Sequence, residues 1–401
     1  MKILCLIIFS ILYSSCSIQN NTQQYIYNSV TETDIIESGI EYYTNYSIGE
    51  SEIIIDANKR MKHDHYCDLS DIVVDEHGNI YILDHIDIKV HVYNENGKYI
   101  MSWGSDGYGP ADLGGSKNIN ITDASELIIG GLPLTRRYTN NGILIESWKT
   151  IPDGTEQQIH ISRDMDIIML DNINNYIISS TTRTQDILMS YIVCINVDTD
   201  EVIMICDNVY NGTHYIRRDF GANSIGAMIP WVPMISCAST KSGKIVWGDG
   251  SIMGINVYNP ESSLSNVYSL NVNPINITNQ EMNTYIEVMA NMYPTEEQKN
   301  RMMRLLNNKE QYPSHKPFYD KIISWYDEYV WLRTPFRHYQ TIYDEINIPY
   351  YIFMSSGEYI GIIMAPARVA FISRDAIYNI IVDKETGYQE LCRHSIIKLD
   401  N

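Results

Sequence analysis

From Asp71 to Gly104 the chain reads DIVVDEHGNIYILDHIDIKVHVYNENGKYIMSWG. Short segments rich in β-branched, aliphatic and aromatic residues at Asp71–Asp75, Asn79–Asp84, Lys89–Tyr93 and Tyr99–Trp103 predict four short strands, each with an inner and an outer face. His77-Gly78-Asn79 and Asn94-Glu95-Asn96-Gly97 separate them. Gly and Asn tolerate positive φ, so both segments predict tight hairpin turns.

The phrase recurs. INITDASELIIGG and LTRRYTNNGILIESW follow between Asn118 and Trp148, with Asn140-Asn141-Gly142 at the corresponding turn. IISWYDEYVWLRTP and PYYIFMSSGEYIGIIM repeat it between Ile322 and Met364, turning at Ser355-Ser356-Gly357. Weaker copies run from Gln158 to Asp207 and from Trp231 to Asn273. A sixth unit, Arg368–Leu399, has only VAFIS, AIYNIIV and ELCRHSIIK. Self-similarity at about 35 to 50 residues, with four strands per unit, predicts an all-β, six-bladed β-propeller of four-stranded blades. The three-stranded last unit needs a partner, and EIIIDA at Glu52–Ala57 supplies an N-terminal strand that closes the ring and removes an open edge.

The string from Gly78 to Leu113, GNIYILD followed by KVHVYNENGKYIMSWGSDGYGPADL, resembles an NHL-type repeat and its linker. It is similar to the six-bladed β-propeller lipoproteins of bacteria. Gly104, Gly107, Gly109 and Pro110 match that family's Gly-rich linker and Asp112 its acidic residue, whereas Ala111 and Leu113 replace a glycine and an aromatic. The resemblance extends from about Glu52 to the C-terminus and implies architecture. The fold carries lyases, lactonases and pure binders alike.

Between the fourth and fifth units the β pattern breaks. Thr278-Asn279-Gln280-Glu281 forms a capping box, and Thr295 to Gln298 a second one, each leading into apolar residues at helical spacing. Two short helices are therefore expected at 278–309, with Met289, Met292, Met302 and Leu305 packed inward and the pair partly covering the channel mouth.

The first residues indicate the destination of the chain. Met1-Lys2, the apolar run Ile3–Tyr13 and Ser14-Ser15-Cys16 read as a secretory signal, too short for a spanning helix of about 20 residues. Ser14-Ser15-Cys16 resembles the lipobox of bacterial lipoproteins, with Tyr13 where an aliphatic residue is usual. The resemblance implies lipid on Cys16, a signal peptide over 1–15, a tether over 16–50 and the propeller over 51–401. The expected address is extracytoplasmic, held to a bacterial membrane, periplasmic or at the cell surface; without a used lipobox, secretion follows.

Charge and motifs bound the function. With 29 Lys+Arg against 49 Asp+Glu the net charge is −20, which repels phosphate backbones and argues against nucleic acid as a partner. The chain contains no G-x-S-x-G elbow, Walker loop, H-E-x-x-H or dinucleotide fingerprint. His63, His65, His77, His85 and His91, with Asp84 and Asp87, supply metal-ligand chemistry without a ligand-spacing signature, so neither a metal site nor a cofactor is expected, calcium being the one candidate. Asp84 and His85 follow the second strand of the first unit, Arg333 ends that strand in the fifth, and Arg136-Arg137 occupy the third strand of the second. Asp84, His85, Arg136 and Arg333 are thus candidates for a ligand face at one end of the disc. Glu52 and Asp171 are loose candidates for a calcium set of the lactonase type. Cys194 and Cys206 flank an expected turn and read either as a cross-strand disulfide or as two small buried residues.

Two functional classes remain open on these grounds. One is a membrane-tethered, non-enzymatic binding module for a protein, glycan or small molecule. The other is a calcium- or zinc-assisted propeller hydrolase or lyase of the lactonase or amidating-lyase type.

Overall fold

In a computed structural model of the 401-residue chain, the described residues are 32–41, 45–56, 69, 71–122, 124–155, 164–170, 175–183, 188–210, 215–220, 223–325, 328–335, 346–383 and 389–399. Six four-stranded antiparallel sheets follow one another along the chain. The first blade comprises Ile72–Val74, Ile80–Asp84, Lys89–Tyr93 and Tyr99–Trp103, within a residue of the expected bounds. The second starts at Ser116, the third at Asp164, the fourth at Ser236 and the fifth at Lys321. The sixth combines Val369–Ile372, Ala376–Val382 and Gln389–Lys398 with the N-terminal strand Tyr46–Ile55.

Six apolar clusters hold the ring, one at each blade junction. Between the first and second blades, Tyr81, Leu83 and Val90 meet Ile119, Leu127 and Ile129. Between the fifth and sixth, Trp331, Tyr350 and Ile352 meet Val369, Ile372 and Ile377. This is what strand alternation demands. Successive side chains point to opposite faces, so each sheet has apolar residues for both neighbours.

The closing strand is longer and starts earlier than expected. Its register runs from Tyr46 opposite Lys398 to Ile55 opposite Leu391, interrupted between Ile48 and Ser51. That irregularity at Gly49-Glu50 shifts the two-residue alternation, and for this reason only Glu52–Ala57 reads as strand in the sequence. Residues 46–50, read as tether, are part of the ring.

Two further elements are not apparent in the sequence. A short helix, Glu32–Ser38, precedes the closing strand and places Ile35 among residues of the fourth and fifth blades. A hairpin, Tyr215–Phe220 with Asn223–Met228, stands between the third and fourth blades.

The helical insert folds as expected. Thr278 and Glu281 form the capping box of Asn279–Asn291, and Thr295 caps Glu296–Leu306. Met289 and Met302 are buried and Leu305 partly so, but Met292, expected inward, is 57% exposed at the helix end. The pair packs on Ala227 of the hairpin and on Ile229 and Trp231 just after it. Among the described residues lining the central channel none belongs to the insert, so the expected cover over the mouth is not formed by those side chains. Lys316, 4% exposed, sits between Asp34 at 3.1 Å and Glu281 at 2.6 Å, tying the N-terminal helix to the insert.

Cys194 and Cys206 are not opposite one another. Cys194 pairs with Ile203 and Cys206 with Ile192, because the hairpin closes with Ile195 opposite Val202 and is centred between Asp198 and Thr199, not on Asp200. Both thiols are free and buried, and burial pushes them up to about 11 and about 12 respectively.

A polar clamp joins the fourth and fifth blades. Glu328 accepts from Lys244 Nζ at 2.9 Å, from the Ser242 N–H at 3.2 Å and from the Ser355 hydroxyl. Burial alone would raise this carboxyl, but those three donors hold it below its ordinary value of 4.5. A depressed folded-state value stabilises the fold above pH 4.5 and ceases to as pH falls through it. Glu328→Gln should therefore cost about 1–2 kcal/mol at neutral pH, the gap to wild type narrowing in acid. Urea unfolding of both proteins from pH 7 downward checks this; a gap independent of pH would contradict it.

Candidate functional site: the central channel

The inner strands and first turns of the blades enclose a channel of about 1230 Å³. Its wall includes Asp71–Gly78 of the first blade, Asn118–Thr122 of the second, Cys237–Lys241 of the fourth, Lys321–Trp325 of the fifth and Ala370–Ala376 of the sixth. At one end lie the turns between first and second strands, and this end is polar. Glu50, Glu52 and Arg393 of the sixth blade and Glu95 of the first stand beside it.

Several polar groups here are fixed by the fold itself. Asp75 Oδ1 accepts from the N–H groups of His77 and Asn79 at 2.9 and 2.8 Å. Its Oδ2 accepts from Asn79 Nδ2 at 2.9 Å and the Tyr81 hydroxyl at 3.0 Å. Burial, with Asp75 beside it, pushes the Tyr81 phenol far up. Arg393 donates to Glu52 at 2.7 Å and to the Glu95 carbonyl at 3.2 Å. Glu52, a loose calcium candidate, is thus an ion-pair partner on the outermost strand of the sixth blade. Asp171, His63 and His65 lie outside the described residues.

The four candidate ligand-face residues lie at the opposite end, near the turns between second and third strands, and the channel lining does not include them. His85 Nε2 approaches Asp71 Oδ2 of the channel wall at 3.8 Å. Arg136 is 0% exposed and donates to three carbonyls, Gly109, Pro110 and Leu134, each at 3.1 Å. It anchors the Gly-rich linker from beneath. Arg333 donates to Asp320 at 2.8 Å, an attraction that raises the guanidinium despite burial. Arg137 bridges Glu126 and Glu146.

Asp84 is completely buried. Its Oδ1 accepts the N–H groups of Ile86 and Asp87 at 2.8 and 3.2 Å, which sets the turn after the second strand. Burial alone would raise its carboxyl, but His91 and those two N–H groups hold it down at about 2. Asp84 pairs with Lys89 across the hairpin, so His91, two residues on, projects from the same face. Single ligand atoms of Asp84, Asp87 and His91 fall within 4.8 Å of one another, an arrangement the sequence spacing conceals.

Ring and channel together define a six-bladed β-propeller enclosing a polar cavity. No family model matches the chain, and no curated protein does. Solved structures share the outline at low identity. A member of the DUF4221 family from Bacteroides vulgatus is 9% identical over 88% of this chain and 98% of its own, with a TM-score of 0.48. Virginiamycin B lyase from Staphylococcus aureus is 10% identical over 88% and 100%, with a TM-score of 0.36. The β-propeller domain of Swd1 from Myceliophteria thermophila gives 10%, 88%, 100% and 0.33 in the same order. The fold assignment rests on the six sheets described above.

Proposed function

We propose that the protein is a membrane-tethered, extracytoplasmic propeller of the bacterial NHL-like lipoprotein type, acting as a non-enzymatic binding module. The observation that carries the binding reading is the channel of about 1230 Å³ with its polar turns. Cavities of this size hold small molecules. Asp75, at the channel mouth, is committed to internal partners, as are Glu52 and Arg393 on the outer strands of the sixth blade, which suits a rigid recognition surface better than proton transfer.

The tether reading rests on Ser14-Ser15-Cys16 after the apolar run Ile3–Tyr13. Among the described residues no helix is long and apolar enough to cross a membrane. Acyl chains on Cys16 would add about 0.8 kcal/mol per buried CH₂ of membrane affinity. Cys16→Ala should move the protein from the membrane to the soluble fraction; mass spectrometry that finds an unmodified N-terminus beyond residue 16 would contradict the tether.

For the binding half, thermal unfolding is followed with a set of monosaccharides, amino acids and short glycans. Saturable stabilisation by at least one member is expected, about 2.7 kcal/mol at a hundredfold excess over Kd. Ser324 is exposed on the inner strand of the fifth blade, at the mouth. Ser324→Trp should abolish the stabilisation without lowering the unbound protein's own transition. Stabilisation that survives the tryptophan would place the site elsewhere.

A further inference from the structure

We propose that Asp84, Asp87 and His91 form a site for one divalent transition-metal ion of the zinc type, outside the central channel. Three observations converge on it. The ligand atoms are an imidazole nitrogen and two carboxylate oxygens within 4.8 Å, a donor set that suits zinc better than calcium. Asp84 Oδ2 is buried in a residue that is 0% exposed, and its one neighbour among the described residues is the His91 imidazole, because the backbone donors of the turn all go to Oδ1. Finally, Asp84 Oδ2 and His91 Nε2 stand 3.3 Å apart. Two ligands each about 2.0–2.1 Å from a tetrahedral ion lie about 3.3 Å from each other, so the pair needs little rearrangement to share one.

The surrounding structure fits. The two N–H bonds to Oδ1 hold the Asp84 carboxylate in place, as second-shell donors do at metal sites. Asp84 and His91 are buried, whereas Asp87 is half-buried in the turn, so an ion reaches them from the Asp87 side. Two carboxylates beside one imidazole also leave negative charge that a dication neutralises. Lys89 faces Asp84 across the hairpin and is the competing cation. A binding module and a zinc site at this turn are independent: either can hold without the other.

The test uses the mature protein, stripped with a chelator and titrated with zinc or with cobalt(II). Calorimetry should find one zinc ion per chain, and cobalt(II) should develop visible absorption bands of a nitrogen–oxygen site. Asp87→Asn, at the half-buried position where the fold is least disturbed, should weaken zinc about tenfold or more and remove the cobalt bands. His77→Gln, at an exposed histidine in the turn at the other end of the blade, should change neither. Circular dichroism confirms that both variants are folded. Failure of the wild-type protein to bind zinc, or binding unchanged by Asp87→Asn, overturns the proposal and leaves Asp84 and His91 as a plain buried ion pair.

Discussion

Deleting residues 46–55 removes the cooperative unfolding transition altogether. The strand supplies the fourth member of the sixth blade, and its loss strips the whole register from Tyr46–Lys398 to Ile55–Leu391. Ile54 and Ile55, 4% and 2% exposed, leave the cluster they share with Ile80, Ile82 and Leu391. Each such side chain contributes about 1.5–3 kcal/mol, and the strand Gln389–Lys398 becomes an open edge. Domains of this kind hold only about 5–15 kcal/mol in total. A graded version tests the same seam. Gly97 has φ +70°, and a Cβ there would lie 1.9 Å from the Ile54 carbonyl oxygen. Gly97→Ala should thus cost about 2–4 kcal/mol through clash and backbone strain. Urea denaturation reads both variants; a two-state transition in the deletion near the wild-type midpoint would show that the ring does not depend on this strand.

Arg136→Met should cost about 3–5 kcal/mol, although it replaces a surface-type residue with an apolar one. Three carbonyls, from Gly109, Pro110 and Leu134, lose their donor at once in a buried setting. Two of them belong to the linker between the first and second blades, which Asp112 also braces through Ser105 and the Gly109 N–H at 2.7 and 2.9 Å. Arg136→Lys should recover little, because one ammonium cannot reproduce the planar fork. Denaturant unfolding of the two variants is the check, and a cost below about 1 kcal/mol for the methionine would contradict the anchoring role.

The ring was legible because its signals are local. The short apolar run Ile80–Leu83, alternation in Lys89–Tyr93, and Gly at turn positions such as Gly97 and Gly142, where φ is +70° and +85°, specify strands and turns without distant partners. The three-strand remainder at Arg368–Leu399 likewise forces a search for a closing strand. What stayed hidden depends on register or on contacts far along the chain. The hairpin turn is centred between Asp198 and Thr199, which leaves Cys206 opposite Ile192 and not Cys194, and the irregularity at Gly49-Glu50 conceals the start of the closing strand. Arg136 reads as a solvated charge because its acceptors lie 26 and 27 residues earlier in the linker. The approach of Asp84 to His91 follows from Asp84 pairing with Lys89, which a spacing rule for metal ligands does not capture. The helix Glu32–Ser38 is short and gains its stability from Ile35 packing, which no local pattern signals.

A protein that binds without turnover returns its ligand unchanged, and this can be followed in time. The purified protein is incubated with a pooled small-molecule and glycan extract, and retained and free compounds are followed over time by mass spectrometry. The expected result is retention of one compound class, chemically unaltered and at saturable stoichiometry, by the wild-type protein and not by Ser324→Trp. Steady conversion of a compound into a new product by wild type, lost in Ser324→Trp, would contradict it and make the channel an active site.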